Sequence, residues 1–217
     1  MGAHKQVMAS LKFQSGYGTV RGCGRGPLGY IDSKTITSQS GEAYQCSVDL
    51  FDAEKDTYPY NDASFDTVLC CELIEHLSCD PMHLMSEANR ILKTGGHFIL
   101  ATPNIGSLRS VSAILLGHHP GISSRYIRPR GDGDEAEPRH HREYVSMEIH
   151  HLFADAGFTL VDLRHGVCPD EPGSESGWVM PLLKKYNLNH EIRGAGIFAL
   201  AQKSGPVKNR WPSWLYA

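Results

Sequence analysis

The stretch Phe51–Asn104, FDAEKDTYPYNDASFDTVLCCELIEHLSCDPMHLMSEANRILKTGGHFILATPN, decides the fold. FDTVLCC (65–71) follows the turn-like NDAS and is a short continuous apolar run, the pattern of a strand buried in a parallel sheet. Asp80-Pro81 then opens a helix, with Asp at the N-cap and Pro at the first helical position. Met82, Met85, Ala88, Ile91 and Leu92 recur on one helical face, while Glu87 and Arg90 fall opposite. Lys93-Thr94-Gly95-Gly96 ends that helix, because glycine accepts the left-handed cap, and HFILA (97–101) reads as the next buried strand. Loop, strand, helix, strand in this order is the second half of a nucleotide-binding α/β domain.

Working outward, Ser107–Leu116 reads as a helix, and residues 118–139 as a loop insertion of dense mixed charge. Ser146 caps a helix running to Ala156, where Gly157 stops it. FTLVDLR (158–164) is a strand, VMPLLKKY (179–186) a short helix and AGIFALAQK (195–203) a last strand. The tail, 204–217, has no clear period and is expected to pack loosely despite Trp211 and Trp214. Upstream, residues 1–43 form an irregular segment broken by glycine every few positions. Order begins with YQCSVDLF (44–51), a weakly alternating strand, so the main domain is expected over 44–203. Alternating strands and helices imply a mostly parallel sheet with helices on both faces.

The bulk numbers exclude several classes. With 217 residues, 41% hydrophobic and 21% charged, one core is expected. A net charge of −3 gives no electrostatic reason for nucleic-acid binding. No apolar run reaches the ~18 residues of a membrane span, and the N-terminus lacks a secretory signal's apolar core. Six cysteines without a C-x-x-C pair argue against structural zinc and a disulfide framework, so the cytoplasm is the expected compartment.

The phrases FDAE (51–54), SFDTVLCCELIEHL (64–77), E-x-N-R-I-L-K-T-G-G (87–96) and REY (142–144) together resemble class I S-adenosylmethionine-dependent methyltransferases, particularly the type 11 methyltransferase domain. The resemblance implies a Rossmann-like sheet with an antiparallel edge strand, S-adenosylmethionine as cofactor, and methyl transfer to a small-molecule or sugar-type oxygen or nitrogen. It also implies a donor site between two adjacent strand ends, near Asp52 and near Cys71. Asp52 would accept from the adenine amino group and Ala53 would offer its N–H to the ring; an Asx turn is the alternative for Asp52. Gly22-Cys23-Gly24-Arg25-Gly26 resembles the glycine turn of such folds. Val20, however, stands where the family carries an acid, and 25 residues between Gly26 and Asp52 hold about one crossover unit instead of two. The first βα units are therefore incomplete, which keeps open a second reading: a catalytically silent methyltransferase-like module acting through protein contacts.

Glu72, Glu75 and His76, spaced E-x-x-E-H just beyond Cys71, are the most chemically loaded residues; at i, i+3 and i+4 they share one side of a helical turn. They suit a proton-shuttling base or a hard divalent cation, with His140 as the downstream partner. The same spacing resembles metal-using small-RNA and ubiquinone-pathway O-methyltransferases, but capping or packing by Glu75 and His76 is the favoured expectation over metal. Arg142 and Glu143 are expected to pair with each other, and Tyr144 to cover the core edge.

Overall fold

Strands β4 (Phe65–Cys71) and β5 (Leu92–Pro103) form the centre of the molecule. The computed structural model describes residues 7–12, 30–37, 43–121, 140–166 and 177–216, with side chains from Phe51 onward. β4 and β5 run parallel, Val68 beside Phe98 and Cys70 beside Leu100, and all four side chains are fully buried. β1 (Val7–Lys12) pairs parallel with β4 on its other side. β7 (Gly196–Lys203) pairs antiparallel with β5, and β6 (Phe158–Gly166) antiparallel with β7. The order β1-β4-β5-β7-β6 is an open α/β sheet, three strands parallel and the edge pair antiparallel.

Parallel neighbours need a crossover, and α1 (Pro81–Ile91) supplies the one between β4 and β5. Asp80 caps it, its Oδ1 accepting from His83 N at 3.0 Å. Met82, Met85, Ala88, Ile91 and Leu92 are fully buried, as their spacing implies. The opposite face is not idle. Arg90 donates to the carbonyls of Tyr58 and Tyr60 at 2.9 and 2.7 Å, and Glu87 Oε2 accepts from Tyr58 N at 2.7 Å. These bonds tie the 51–62 loop to the helix. The helix stops at Ile91, with Leu92 already extended. Gly95 (φ 77°) and Gly96 thus form a corner at the entrance of β5, where the register with β4 shifts. A Cβ on Gly96 would lie 2.9 Å from the Lys93 carbonyl and 3.1 Å from that of Asp66.

The remaining helices are α2 (Leu108–Leu115), α3 (Ser146–Asp155) and α4 (Val179–Lys185). Ser107 caps α2 through Ser110 N. Ser146 does not cap α3: Val145 sits at the N-cap, Glu148 Oε2 accepts its N–H at 3.0 Å, and the Ser146 hydroxyl pairs with His165 Nε2. α1 and α3 cover one face of the sheet, where Phe153 meets Phe98 and Phe158 edge to face and all three ring centroids lie within 5.7 Å of one another. The other face is more open, with Ile99 37% and Phe198 44% exposed. Among the described residues no helix is long and apolar enough to cross a membrane.

Two expectations need correction. The segment 1–43 carries order: β1, and β2 (Tyr30–Thr37), which pairs antiparallel with β3 (Ala43–Leu50). β3 therefore belongs to a separate two-stranded sheet. The strand ending before Asp52 is not the sheet neighbour of the strand ending at Cys71. The tail is not loose either. Arg210 forms a bidentate ion pair with Asp80, Tyr216 Oη donates to the same carboxylate, and Trp214 Nε1 donates to Asp155 Oδ2 at 2.8 Å. Pro206 crosses so close to Gly157 (φ 81°) that a Cβ there would sit 2.2 Å from the Pro206 carbonyl oxygen.

Candidate active site

At the carboxyl end of β4 the chain turns sharply. Glu72 donates its N–H to Ala101 O at 2.9 Å and takes a left-handed φ of 52°. For a residue with a side chain that conformation costs about 1–2 kcal/mol. Ile74–His76 then make a single 3-10 turn. Glu72 is thus outside the turn, so the expected shared helical face does not exist. The two carboxyls are nevertheless near enough for the Glu72 charge to act on Glu75.

Glu75 is fully buried. Its Oε2 accepts from Thr102 Oγ1 at 2.9 Å, on the neighbouring strand β5. Its Oε1 accepts no hydrogen bond among the described residues and lies 3.8 Å from His76 Nε2. His140 comes from the segment before α3, and its ring packs edge to face on His76 with centroids 4.9 Å apart. Backbone bonds fix that segment, with the N–H groups of His141 and Arg142 donating to Glu75 O at 2.7 and 3.2 Å. One ligand atom each from Glu75, His76 and His140 lies within 4.8 Å of the others. Sequence spacing did find these residues; the structure brings them together.

Burial pushes Glu75 up to about 7, with the Glu72 charge adding to it, against the Thr102 hydrogen bond and His140. Burial also raises Glu72. For His140, burial pulls downward, but the hydrogen bond to Glu143 and the charges of Glu75, Glu143 and Glu72 outweigh it and hold the imidazole above its ordinary value. Glu143 was expected to pair with Arg142. Instead Arg142 pairs with Glu148, and Glu143 Oε1 lies 3.1 Å from His140 Nδ1. That bond leaves His140 Nε2 for a ligand, the arrangement in which a carboxylate orients a metal-binding histidine. Glu143 and Thr102 went unassigned because nothing in their spacing separates an orienting partner from an ordinary polar residue. The buried carboxylate oxygen without a hydrogen bond, beside two imidazoles, fits a divalent cation.

The donor side is different. Asp52 Oδ1 accepts from Glu54 N at 2.9 Å and Oδ2 lies 3.6 Å from Lys55 Nζ, so its carboxylate closes an Asx turn. The Ala53 carbonyl accepts from Tyr58 Oη at 3.1 Å. Cys71, half-buried, ends β4 directly before Glu72. Gly22, Gly24 and Gly26 lie outside the described residues, as does most of the 118–139 insertion. A groove of about 240 Å³ lies between the 77–81 loop, the 141–144 segment and the end of the chain, and none of Glu72, Glu75, His76 and His140 lines it.

With fold and cluster in place, comparison with known proteins identifies the class. Residues 22–163 match a family model described as a methyltransferase domain, and the chain belongs to that family, the class I methyltransferases whose cofactor is S-adenosylmethionine. A Mycolicibacterium smegmatis protein named as a probable S-adenosylmethionine-dependent methyltransferase is 32% identical over 104 residues, 48% of this chain. The match spans 32% of that relative's length. Among solved structures, a SAM-dependent methyltransferase of Thermotoga maritima is similar at TM-score 0.45 and 20% identity, covering 71% of this chain and 62% of that one. One of Methanosarcina mazei is similar at TM-score 0.44 and 16% identity, covering 71% and 65%.

Proposed function

We propose that this chain transfers a methyl group from S-adenosylmethionine to a hydroxyl of a small-molecule or sugar-type acceptor, with Glu72, Glu75, His76 and His140 on the acceptor side. The observation that supports this reading is the convergence of Glu75, His76 and His140 around a buried carboxylate oxygen that accepts no hydrogen bond among the described residues. Glu75, His76 and His140 would hold a divalent cation, a metal the sequence alone did not favour. Such an ion would supply Lewis acidity, making a bound hydroxyl easier to deprotonate.

The chain's own residues divide the remaining work. Thr102 pins Glu75 Oε2 and so fixes where Oε1 points. Glu143 holds His140 Nδ1 and sets the tautomer. Glu72, raised by burial and set beside Glu75, takes the hydroxyl proton. Methyl transfer is an in-line displacement, so alignment and exclusion of water provide most of the acceleration. Asp52 would still accept from the adenine amino group, since the Asx turn uses one acceptor site of its Oδ1 and a carboxylate has about four.

The test is transfer of labelled methyl from S-adenosylmethionine to a panel of small-molecule hydroxyls, phenols and glycosides included. The wild-type chain should label at least one acceptor. His140→Ala should lower the rate about 10–100-fold, and EDTA should abolish transfer until Mn²⁺ is restored. Equal rates in His140→Ala, or transfer indifferent to EDTA, contradict the proposal. One observation favours a second reading, a silent methyltransferase-like module: β2 and β3 pair apart from the main sheet. Such a module would not bind S-adenosylhomocysteine.

A further inference from the structure

We propose that the surface formed by α2 and α4 is a peripheral membrane contact, which inserts apolar side chains into an anionic lipid bilayer. This contact stands apart from the methyl-transfer reading of the Glu75 cluster. Thirteen large apolar side chains are exposed among the described residues, and seven of them lie on these two segments. Ile114, Leu115 and Leu116 end α2, and Trp178, Leu182, Tyr186 and Leu188 run along and past α4. Scattered exposed apolar residues are normal on a globular protein, whereas a concentration of them marks an interaction surface.

The two groups are neighbours. α2 packs against α4, and Trp178 Nε1 donates to Ser112 Oγ at 3.0 Å. Leu115 and Leu116 stand one turn beyond Ser112 on that side of α2. Leu182 and Tyr186 follow Trp178 at i+4 and i+8, so the three share one stripe of α4. Val179 and Leu183, on the adjoining stripe, are buried and anchor the helix.

Shape and charge select a bilayer over a protein partner. Ile114, Leu115 and Leu116 are consecutive and each is 58% or 59% exposed, and consecutive helical residues project about 100° apart. They form a knob exposed on several sides, which fluid acyl chains surround and a rigid protein face does not. The chain has 24 acidic residues, yet none falls within 107–120 or 177–190, which carry Arg109, Lys184 and Lys185. No carboxylate among the described residues pairs with Lys184 or Lys185, and Lys185 Nζ lies 5.3 Å from the centre of the Tyr186 ring. Lysines beside an exposed Trp and Tyr fit the headgroup layer, with ammonium groups on lipid phosphates and aliphatic side chains below them. With 7 residues, α4 lies on the membrane and does not cross it.

The experiment is co-sedimentation of the full chain with vesicles of phosphatidylcholine alone and with vesicles containing about one third phosphatidylglycerol. Saturable binding to the anionic vesicles is expected, with at least about tenfold weaker binding to phosphatidylcholine alone. Lys184→Glu with Lys185→Glu should weaken anionic-vesicle binding at least about tenfold, and so should Leu115→Ser with Leu116→Ser. All four side chains are exposed, and the lysine pair remains informative if the leucine pair fails to fold. No binding to anionic vesicles, equal binding to both vesicle types, or undiminished binding by either folded double variant overturns the inference. A dimer in analytical ultracentrifugation that the leucine pair dissociates also overturns it, since a second copy would then cover this face.

Discussion

A carboxyl whose folded pKa is about 7 against an ordinary 4.5 keeps a proton in the folded chain that the unfolded chain has released. Between those values the folded state binds more protons, so Glu75 makes stability fall as pH rises from about 4.5 to about 7. His140 has the same sign: raised above its ordinary value, it contributes stability at low pH that is lost as pH passes its folded pKa. In metal-free buffer, Glu75→Gln should therefore raise Tm at pH 8, with the gain shrinking towards pH 4.5. A pH-independent difference would show that burial does not control this carboxyl. Glu72 offers a complementary test. Glycine at its φ of 52° relieves about 1 kcal/mol of backbone strain, so Glu72→Gly should raise Tm while methyl transfer falls about 100-fold. A loss of both would mean that the side chain serves stability. The grouping of Glu75, His76 and His140 was legible because their residue types and spacing carry chemistry. The roles of Thr102 and Glu143, and the Glu72 backbone, were not, since tertiary contacts set them. Asp52 shows the limit at single-residue scale: an Asx turn and an adenine acceptor ask for the same side chain at the same place.

At the scale of elements, β4, α1 and β5 were legible because buried runs and 3.6-residue spacing report burial directly. The C-terminal strap was not, because it follows no period. Its energy lies in side chains that reach far in sequence: Arg210 and Tyr216 to Asp80, Trp214 to Asp155, and Lys203 Nζ to the Asn89 and Leu92 carbonyls at 2.6 and 2.7 Å, closing the end of α1. Asp80 serves both as N-cap and as the strap's anchor. Asp80→Ala should cost about 2 kcal/mol in urea unfolding, about 1 from the cap and the rest from the half-exposed pair. A cost below about 0.5 kcal/mol would mean that the strap is not docked in solution. Gly157→Ala should cost at least about 2 kcal/mol, since it combines a left-handed φ with a Cβ 2.2 Å from a carbonyl oxygen. A neutral result there would contradict the close crossing of Pro206.

At the scale of the whole molecule, the part from Phe65 onward is an open sheet with an antiparallel edge pair and a cluster of acids and imidazoles where β4 ends. Upstream of Asp52 the chain has little room for crossovers. Only 25 residues separate Gly26 from Asp52, too few for two crossovers, and the structure uses that part of the chain for an antiparallel pair, β2 with β3. The short gap was legible; the antiparallel pairing was not, because segments that alternate weakly fit either sheet type. Whether the chain holds the cofactor decides between a methyltransferase and a silent module. Calorimetric titration of the chain with S-adenosylhomocysteine tests that most directly. The account predicts saturable one-to-one binding, whereas no detectable heat at millimolar ligand would contradict it.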